Sequence, residues 1–188
     1  MPASGISLVD LNVWLALAID GHVHYPKARR WFERGAEKET AAILTDFFGR
    51  EDNRLSYQNA LVLEEAGELV GVAVLYDGAR ARALDAPLER AAAQKSGRAR
   101  YGIATEPEAS EFYLDTLSVS PAHQRKGYGR QLIEAACDHA RKLGHRRMAL
   151  LVEVDHAPAK QLYERLGFCA DYTKQIAGQE YFHMVRHL

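Results

Sequence analysis

The run from Phe112 to Gly129, FYLDTLSVSPAHQRKGYG, constrains this chain more than any other, because an extended apolar segment breaks at a proline into a glycine-punctuated turn. From Phe112 to Val119 the residues are mostly aromatic, β-branched or leucine, which predicts a strand buried on at least one face. Ser120-Pro121 ends it, since proline has no N–H to continue a ladder. Beyond Gly127 and Gly129 the apolar positions Leu132, Ile133, Ala136, Ala140 and Leu143 recur at three- and four-residue steps, predicting an amphipathic helix with Gly144 as a left-handed stop. The unit is strand, loop, helix. Such a loop presents backbone N–H groups from about Arg125 to Arg130 at the positive end of a helix, where an anion is stabilised. Arg125, Lys126 and Arg130 add charge, so a phosphate or pyrophosphate suits it, although a plain strand-to-helix turn has the same outline. Two phosphate-binding patterns are excluded by inspection: Leu132 stands where a dinucleotide fingerprint needs its third glycine, and no Gly-Lys-Ser/Thr sequence exists for a P-loop.

Gln124-Arg125-Lys126-Gly127-Tyr128-Gly129 resembles the Q/R-x-x-G-x-G/A signature of the GNAT superfamily of N-acetyltransferases. The similarity extends to a following strand, Met148 to Glu153, and to AKQLYERLGF, Ala159 to Phe168, which resembles the family's closing helix with its tyrosine. The resemblance covers about residues 41–188. It implies an α/β fold, a mixed and largely antiparallel sheet with helices on both faces, and acetyl transfer from acetyl-CoA to a primary amine without a metal. It further implies that main-chain groups of Leu117 and Val119 hold the pantetheine and acetyl carbonyl, and that the loop of Gln124, Arg125, Lys126, Gly127, Tyr128, Gly129 and Arg130 holds the pyrophosphate. Tyr163 takes the family's general-acid position; the alternative is a core aromatic, since Ala159, Leu162, Tyr163 and Leu166 share a helical face. His156 stands where the family commonly has an asparagine that contacts the cofactor and caps the helix. Asp115 and Glu153, on the strands that would flank the cofactor, are the two candidates for the base. A non-catalytic acyl-CoA-binding module is a second reading of the same residues. Homodimers are common in the family.

The N-terminus is different. Ser7 to Glu33 reads as a short strand, an apolar helix to about Ile19, a loop and a second helix from about Pro26. Residues 7–34 resemble the start of a PIN-domain ribonuclease, in which an aspartate, here Asp10, helps hold a metal; a metal-dependent nuclease is therefore an alternative function. A metal site needs several converging carboxylates, and the segment adds only Asp20 and Glu33, so Asp10 also reads as a helix cap. His22 and His24 read as loop histidines. Residues 1–36 are accordingly expected as a PIN-like piece packed on a GNAT domain of residues 37–188.

The intervening segments predict a helix over about 38–48, a hairpin of Ala60–Glu65 and Glu68–Tyr76 turning at Ala66-Gly67, and a long insertion over 77–110. The insertion holds a helix over about 85–95 and a loop expected to be mobile, with Arg80, Arg82, Arg90, Arg98 and Arg100 on a solvated face or a lid. A final antiparallel pair is expected over 169–176 and 179–185. With 24 Lys+Arg against 25 Asp+Glu, the formal charge is -1, so no overall field draws the chain to nucleic acid or a membrane. Cys137 and Cys169 fit buried thiols in a reducing cytoplasm. The apolar run Ile6 to Ile19 is too short to cross a bilayer of ~30 Å.

Overall fold

The computed structural model describes residues 37–97, 99–176 and 178–188. In chain order they form α1 (Glu37–Gly49), β1 (Ala60–Glu65), β2 (Glu68–Asp77), α2 (Ala81–Ser96), β3 (Phe112–Val119), α3 (Tyr128–Lys142), β4 (Arg147–Glu153), α4 (Ala157–Arg165), β5 (Cys169–Ile176) and β6 (Gln179–His187). The strands make one sheet in the order β1-β2-β3-β4-β6-β5. β3 and β4 are parallel, whereas β1 with β2, β4 with β6 and β5 with β6 are antiparallel. The mixed, largely antiparallel α/β architecture expected from the sequence is therefore present. The PIN-like stretch, with Asp10, His22 and His24, lies outside the described residues.

The chain divides into two compact units, one of residues 37–51, 55–74 and 116–133, the other of residues 52–54, 75–115 and 134–188. In the first, the hairpin turns at Ala66 (φ 53) and Gly67 (φ 82), two left-handed residues in the two-residue turn that matches strand twist. Val70, Val72, Ala73 and Val74 of β2 are buried, as are Leu132 and Ile133 at the start of α3.

In the second unit, Tyr76, Ala81, Leu84, Tyr113, Ala149 and Val185 form one apolar cluster, with Leu151 packed against it. Successive strand residues point to opposite faces. Tyr113 thus faces α2, while the neighbouring Phe112 packs its ring on His139 of α3 and on His145, at centroid distances of 5.9 and 4.7 Å. Helix α3 ends as its sequence predicts: Gly144 is left-handed (φ 88), and His145 N–H donates to the Ala140 carbonyl at 3.0 Å. Leu143, expected on the buried face, is 57% exposed, because the burial stripe ends at Ala140. Cys137 is buried, but Cys169 is exposed, since β5 is an edge strand whose first five residues are open to solvent.

The insertion departs most from expectation. Its helix begins at Ala81 rather than near Asp85, with Pro87 inside it. The chain enters through a tight turn in which the Asp77 carboxylate accepts from Ala79 N–H at 2.9 Å, so the start signal lies upstream of the apolar pattern. The loop after it is fastened, not loose. Ile103 N–H donates to Glu89 at 2.8 Å, Tyr172 Oη to Glu108 at 3.1 Å, and Lys174 Nζ to the carbonyls of Thr105 and Glu106 at 2.9 and 2.8 Å. At its end the buried Glu111 accepts from Glu108 N–H and meets His183 Nε2, both at 3.1 Å, with Arg147 Nη2 at 3.2 Å. Burial opposes the charge on Glu111, but these partners together hold its pKa below the ordinary value.

Gly78 seats this loop. Its N–H donates to the Glu111 carbonyl at 2.8 Å, and a Cβ built there would stand 2.1 Å from the Glu108 carbonyl oxygen. Gly78→Ala is expected to destabilise the protein by about 1–3 kcal/mol, the usual cost of overpacking against backbone. Urea denaturation measures it; an unchanged midpoint would show that the loop is not held there.

Candidate functional site

Two constellations stand out, one in each unit. The first is the loop between β3 and α3. His123 N–H donates to Ser120 O at 2.8 Å, closing a tight turn after the strand, and Gln124 Nε2 folds back onto the Val119 carbonyl at 3.2 Å. Arg125 (φ 61) and Gly127 (φ 90) are left-handed. That conformation is open to glycine and strained for arginine, so the loop holds a geometry it would not adopt by default. Helix α3 makes its first internal bond from Gln131 N–H to Gly127 O at 3.1 Å. The N–H groups of Tyr128, Gly129 and Arg130 therefore precede the helix's own bonding and lie at its positive end. The side chains of Gln124, Arg125, Lys126 and Arg130 are exposed. A Cβ at Gly129 would meet only Val119 Cγ2, at 4.0 Å, so the main chain is open to close approach. Tyr128 is oriented by a hydrogen bond to Glu65, which raises its pKa. These features fit an anionic group of pyrophosphate type.

The second constellation is a buried ionic cluster absent from any motif. Arg54 donates from Nη1 to Asp85 at 3.1 Å and from Nη2 to Glu106 at 3.3 Å and to Asp115. Tyr76 Oη donates to the same Asp115 oxygen at 3.2 Å, and Tyr113 Oη donates to Glu106 at 2.7 Å. Burial by itself would lower the Arg54 pKa, but the surrounding carboxylates raise it, so the guanidinium stays charged. Burial, opposed by Arg54, lifts Asp85 above the ordinary range. Burial and the neighbouring Asp115 charge do the same to Glu106. Asp115, a candidate base by its strand position, is thus a fixed member of an ion cluster, its side chain 3% exposed.

The other predicted residues fall as follows. Leu117 and Val119 are half-buried at the end of β3, and Glu153 is half-buried at the end of β4. Glu153 stands opposite Tyr181 of β6. His156 caps α4: its Nδ1 accepts from Ala159 N–H at 3.2 Å, the role an asparagine side chain has at such a position. Tyr163 is half-buried, its ring edge-on to Phe168 at 5.9 Å, and burial pushes its hydroxyl up to about 12. Among the described residues, no group of three or more His, Cys, Asp or Glu side chains is arranged to hold a metal ion. No described helix is long and apolar enough to cross a membrane.

The strand, the glycine-punctuated loop and the helix that follows it sit in a mixed α/β fold of the acyltransferase type. Residues 25–168 match the model of the Acetyltransferase (GNAT) family, and the chain belongs to that family. The match starts at residue 25, inside the stretch expected from the sequence to be PIN-like, which to that extent belongs to the acetyltransferase match, and it leaves β5 and β6 beyond its end. An L-methionine sulfoximine/L-methionine sulfone acetyltransferase of Salmonella typhimurium is 30% identical over 130 residues, 69% of this chain and 66% of that protein. A mycothiol acetyltransferase of Corynebacterium glutamicum is 39% identical over 62 residues, 33% of this chain and 20% of that protein. The chain thus spans a fifth of the length of that relative. Among solved structures, a crystal structure of an acetyltransferase superposes with a TM-score of 0.70 at 34% identity, covering 82% of this chain and 83% of that one.

The cluster makes opposite predictions for its two signs of charge. Removing a partner from a buried ion pair leaves an uncompensated charge, so Arg54→Ala is expected to cost about 3–5 kcal/mol. The Glu106 pKa is raised on folding, so its charged form weakens the fold as pH rises through that pKa. Glu106→Gln, neutral and still an acceptor for Tyr113, is expected to be at least as stable as the parent at pH 7. Urea denaturation of both variants checks the pair of signs.

Proposed function

We propose that this protein transfers an acetyl group from acetyl-CoA to a primary amine by direct attack. The observation that carries the reading is the exposed cationic loop at the start of α3, in a chain whose residues 25–168 match the GNAT family. Acetyl-CoA, when bound, supplies the acyl thioester. The N–H groups of Gly127–Arg130, with Arg125, Lys126 and Arg130, hold its pyrophosphate, and Gln124 fixes the loop to β3. Main-chain groups of Leu117 and Val119 orient the pantetheine and polarise the carbonyl, a contribution that preorganised backbone dipoles make without side-chain chemistry.

Tyr163 holds a proton at Oη for the departing sulfur. Its raised pKa keeps that proton in place throughout the neutral range. Glu153 takes the proton from the amine in preference to Asp115, because Asp115 is held by Arg54 and Tyr76. His156 caps α4 and so fixes the helix that carries Tyr163. The nuclease alternative rests on Asp10, outside the described residues. The CoA-binding module without catalysis shares the loop but needs no hydroxyl at position 163.

Two measurements test the proposal. Gly129→Glu puts a negative charge where the pyrophosphate would sit, in space that is free of other atoms. CoA affinity is expected to fall at least about tenfold, in line with removal of a helix N-terminal anion site by a like charge; wild-type affinity in the folded variant would place the cofactor elsewhere. Tyr163→Phe is expected to lower kcat by roughly 10²- to 10⁴-fold with CoA affinity kept. In the parent, the rate should show no loss from Tyr163 up to about pH 10, where an ordinary tyrosine would already be half ionised. Full turnover in the Phe variant favours the binding module.

A further inference from the structure

On one face of the second unit's sheet, Glu153 of β4, Tyr181 of β6 and Lys174 of β5 are directly opposed in register, in a row that runs acid, phenol, ammonium. Val154 N–H donates to the Glu180 carbonyl at 3.2 Å, so the adjacent pair Glu153 and Tyr181 is of the non-hydrogen-bonded kind, in which opposed side chains stand closest and Cα atoms are about 4.5 Å apart. On its other side Tyr181 turns its main chain to Lys174, with Cα atoms about 5.5 Å apart. Tyr181 is 2% exposed and is the floor of the row, while Glu153 and Lys174 beside it are half-buried.

None of the three has its chemistry met. The Tyr181 hydroxyl has no hydrogen-bond partner among the described residues, and buried hydroxyls are nearly always bonded. Glu153 meets no cation among those residues, and Lys174 meets no carboxylate. Lys174 gives two of its three N–H donors to the carbonyls of Thr105 and Glu106, at 2.9 and 2.8 Å, neutral acceptors that leave one donor and the whole charge unanswered. One small zwitterion answers all of these at once. Its ammonium donates to Glu153, its carboxylate accepts from Lys174, and the phenol between them accepts from the first and donates to the second. A single oxygen reaches both ends only where ammonium and carboxylate stand on the same carbon. We propose that Glu153, Tyr181 and Lys174 receive an α-amino acid, whose amino group is the one acetylated. A plain amine leaves Lys174 without a counter-charge, and a plain carboxylate leaves Glu153 without one. The proposal deepens the amine-acetylation reading and rests on it for the fate of the bound amine, not for the binding.

The full chain, carrying ring-¹³C tyrosine, is titrated with L-alanine, with L-alaninamide, which lacks the carboxylate, and with propionate, which lacks the ammonium. Tyr181→Phe, which breaks no described hydrogen bond, assigns the reporter resonance. L-alanine is expected to shift Tyr181 saturably, and the other two to bind at least about tenfold more weakly, the scale of one charge-assisted bond lost. By calorimetry, Lys174→Gln, still a donor to the loop carbonyls, should weaken L-alanine at least about tenfold while leaving L-alaninamide and CoA affinity unchanged. That split separates loss of a carboxylate partner from a general loosening of the loop. Lys174→Arg should keep L-alanine. The proposal is overturned if L-alanine leaves Tyr181 unmoved, if L-alaninamide or propionate binds as tightly, or if Lys174→Gln binds L-alanine as the parent does. Should the Lys174 variants fail to fold, discrimination among the three probes by the parent decides alone. Acetyl-CoA consumption is followed in parallel. L-alanine binding without acetylation of any amine refutes the transfer reading and leaves the site standing; acetylation of amines with Tyr181 unmoved by L-alanine does the reverse.

Discussion

The second unit is organised around a guanidinium that cannot leave. Arg54 draws Asp85 from α2, Glu106 from the insertion loop and Asp115 from β3 to one point, so three segments distant in sequence share an anchor. Charges so far from water are costly unless every partner is in place, and the arrangement is correspondingly all-or-none. Arginine suits it because its planar fork offers separate N–H groups to separate acids, where a lysine would offer a single point of charge. The tyrosines at positions 76 and 113 bond to two of these acids and also lie in the apolar cluster. Ionic and hydrophobic organisation thus meet in the same side chains.

Much of the frame was legible in the sequence because its signals are local. The strand Phe112–Val119 ends at the proline that cannot extend a ladder, and the hairpin turns at the Ala-Gly pair that takes positive φ. The glycine loop was legible for the same reason: Gly127 must be left-handed where the helix begins. The start of α2 was hidden, since Asp85 and Pro87 imitate the opening of a helix while the actual signal is Asp77 turning back on Ala79. Leu143 was misplaced because periodicity says which face a residue shares but not where the neighbouring layer ends.

The candidate site divides in the same way. The loop, Tyr163 and His156 sit in short patterns. Arg54, Glu106 and Tyr181 sit in none, and no spacing joins residues that are dozens of positions apart. The insertion loop looked unrestrained because its glycines, arginines and lack of periodicity are all that a local reading sees. Its restraints come from Gly78, Tyr172, Lys174 and His183, which belong to other elements. Asp115 was a reasonable base by strand position, and only the presence of Arg54 shows how firmly it is held.

The strand order β4-β6-β5 has a consequence for how the chain can be made. The last strand in sequence lies between its two neighbours rather than at the rim, with β4 bonded along one side and β5 along the other. A ribosome emits β4 and β5 before β6, so until residues 179–187 have cleared the exit tunnel β4 is bonded on its β3 side alone and β5 lacks the neighbour it pairs with. The second unit must therefore close late, with strand edges exposed in the interval before β6 arrives.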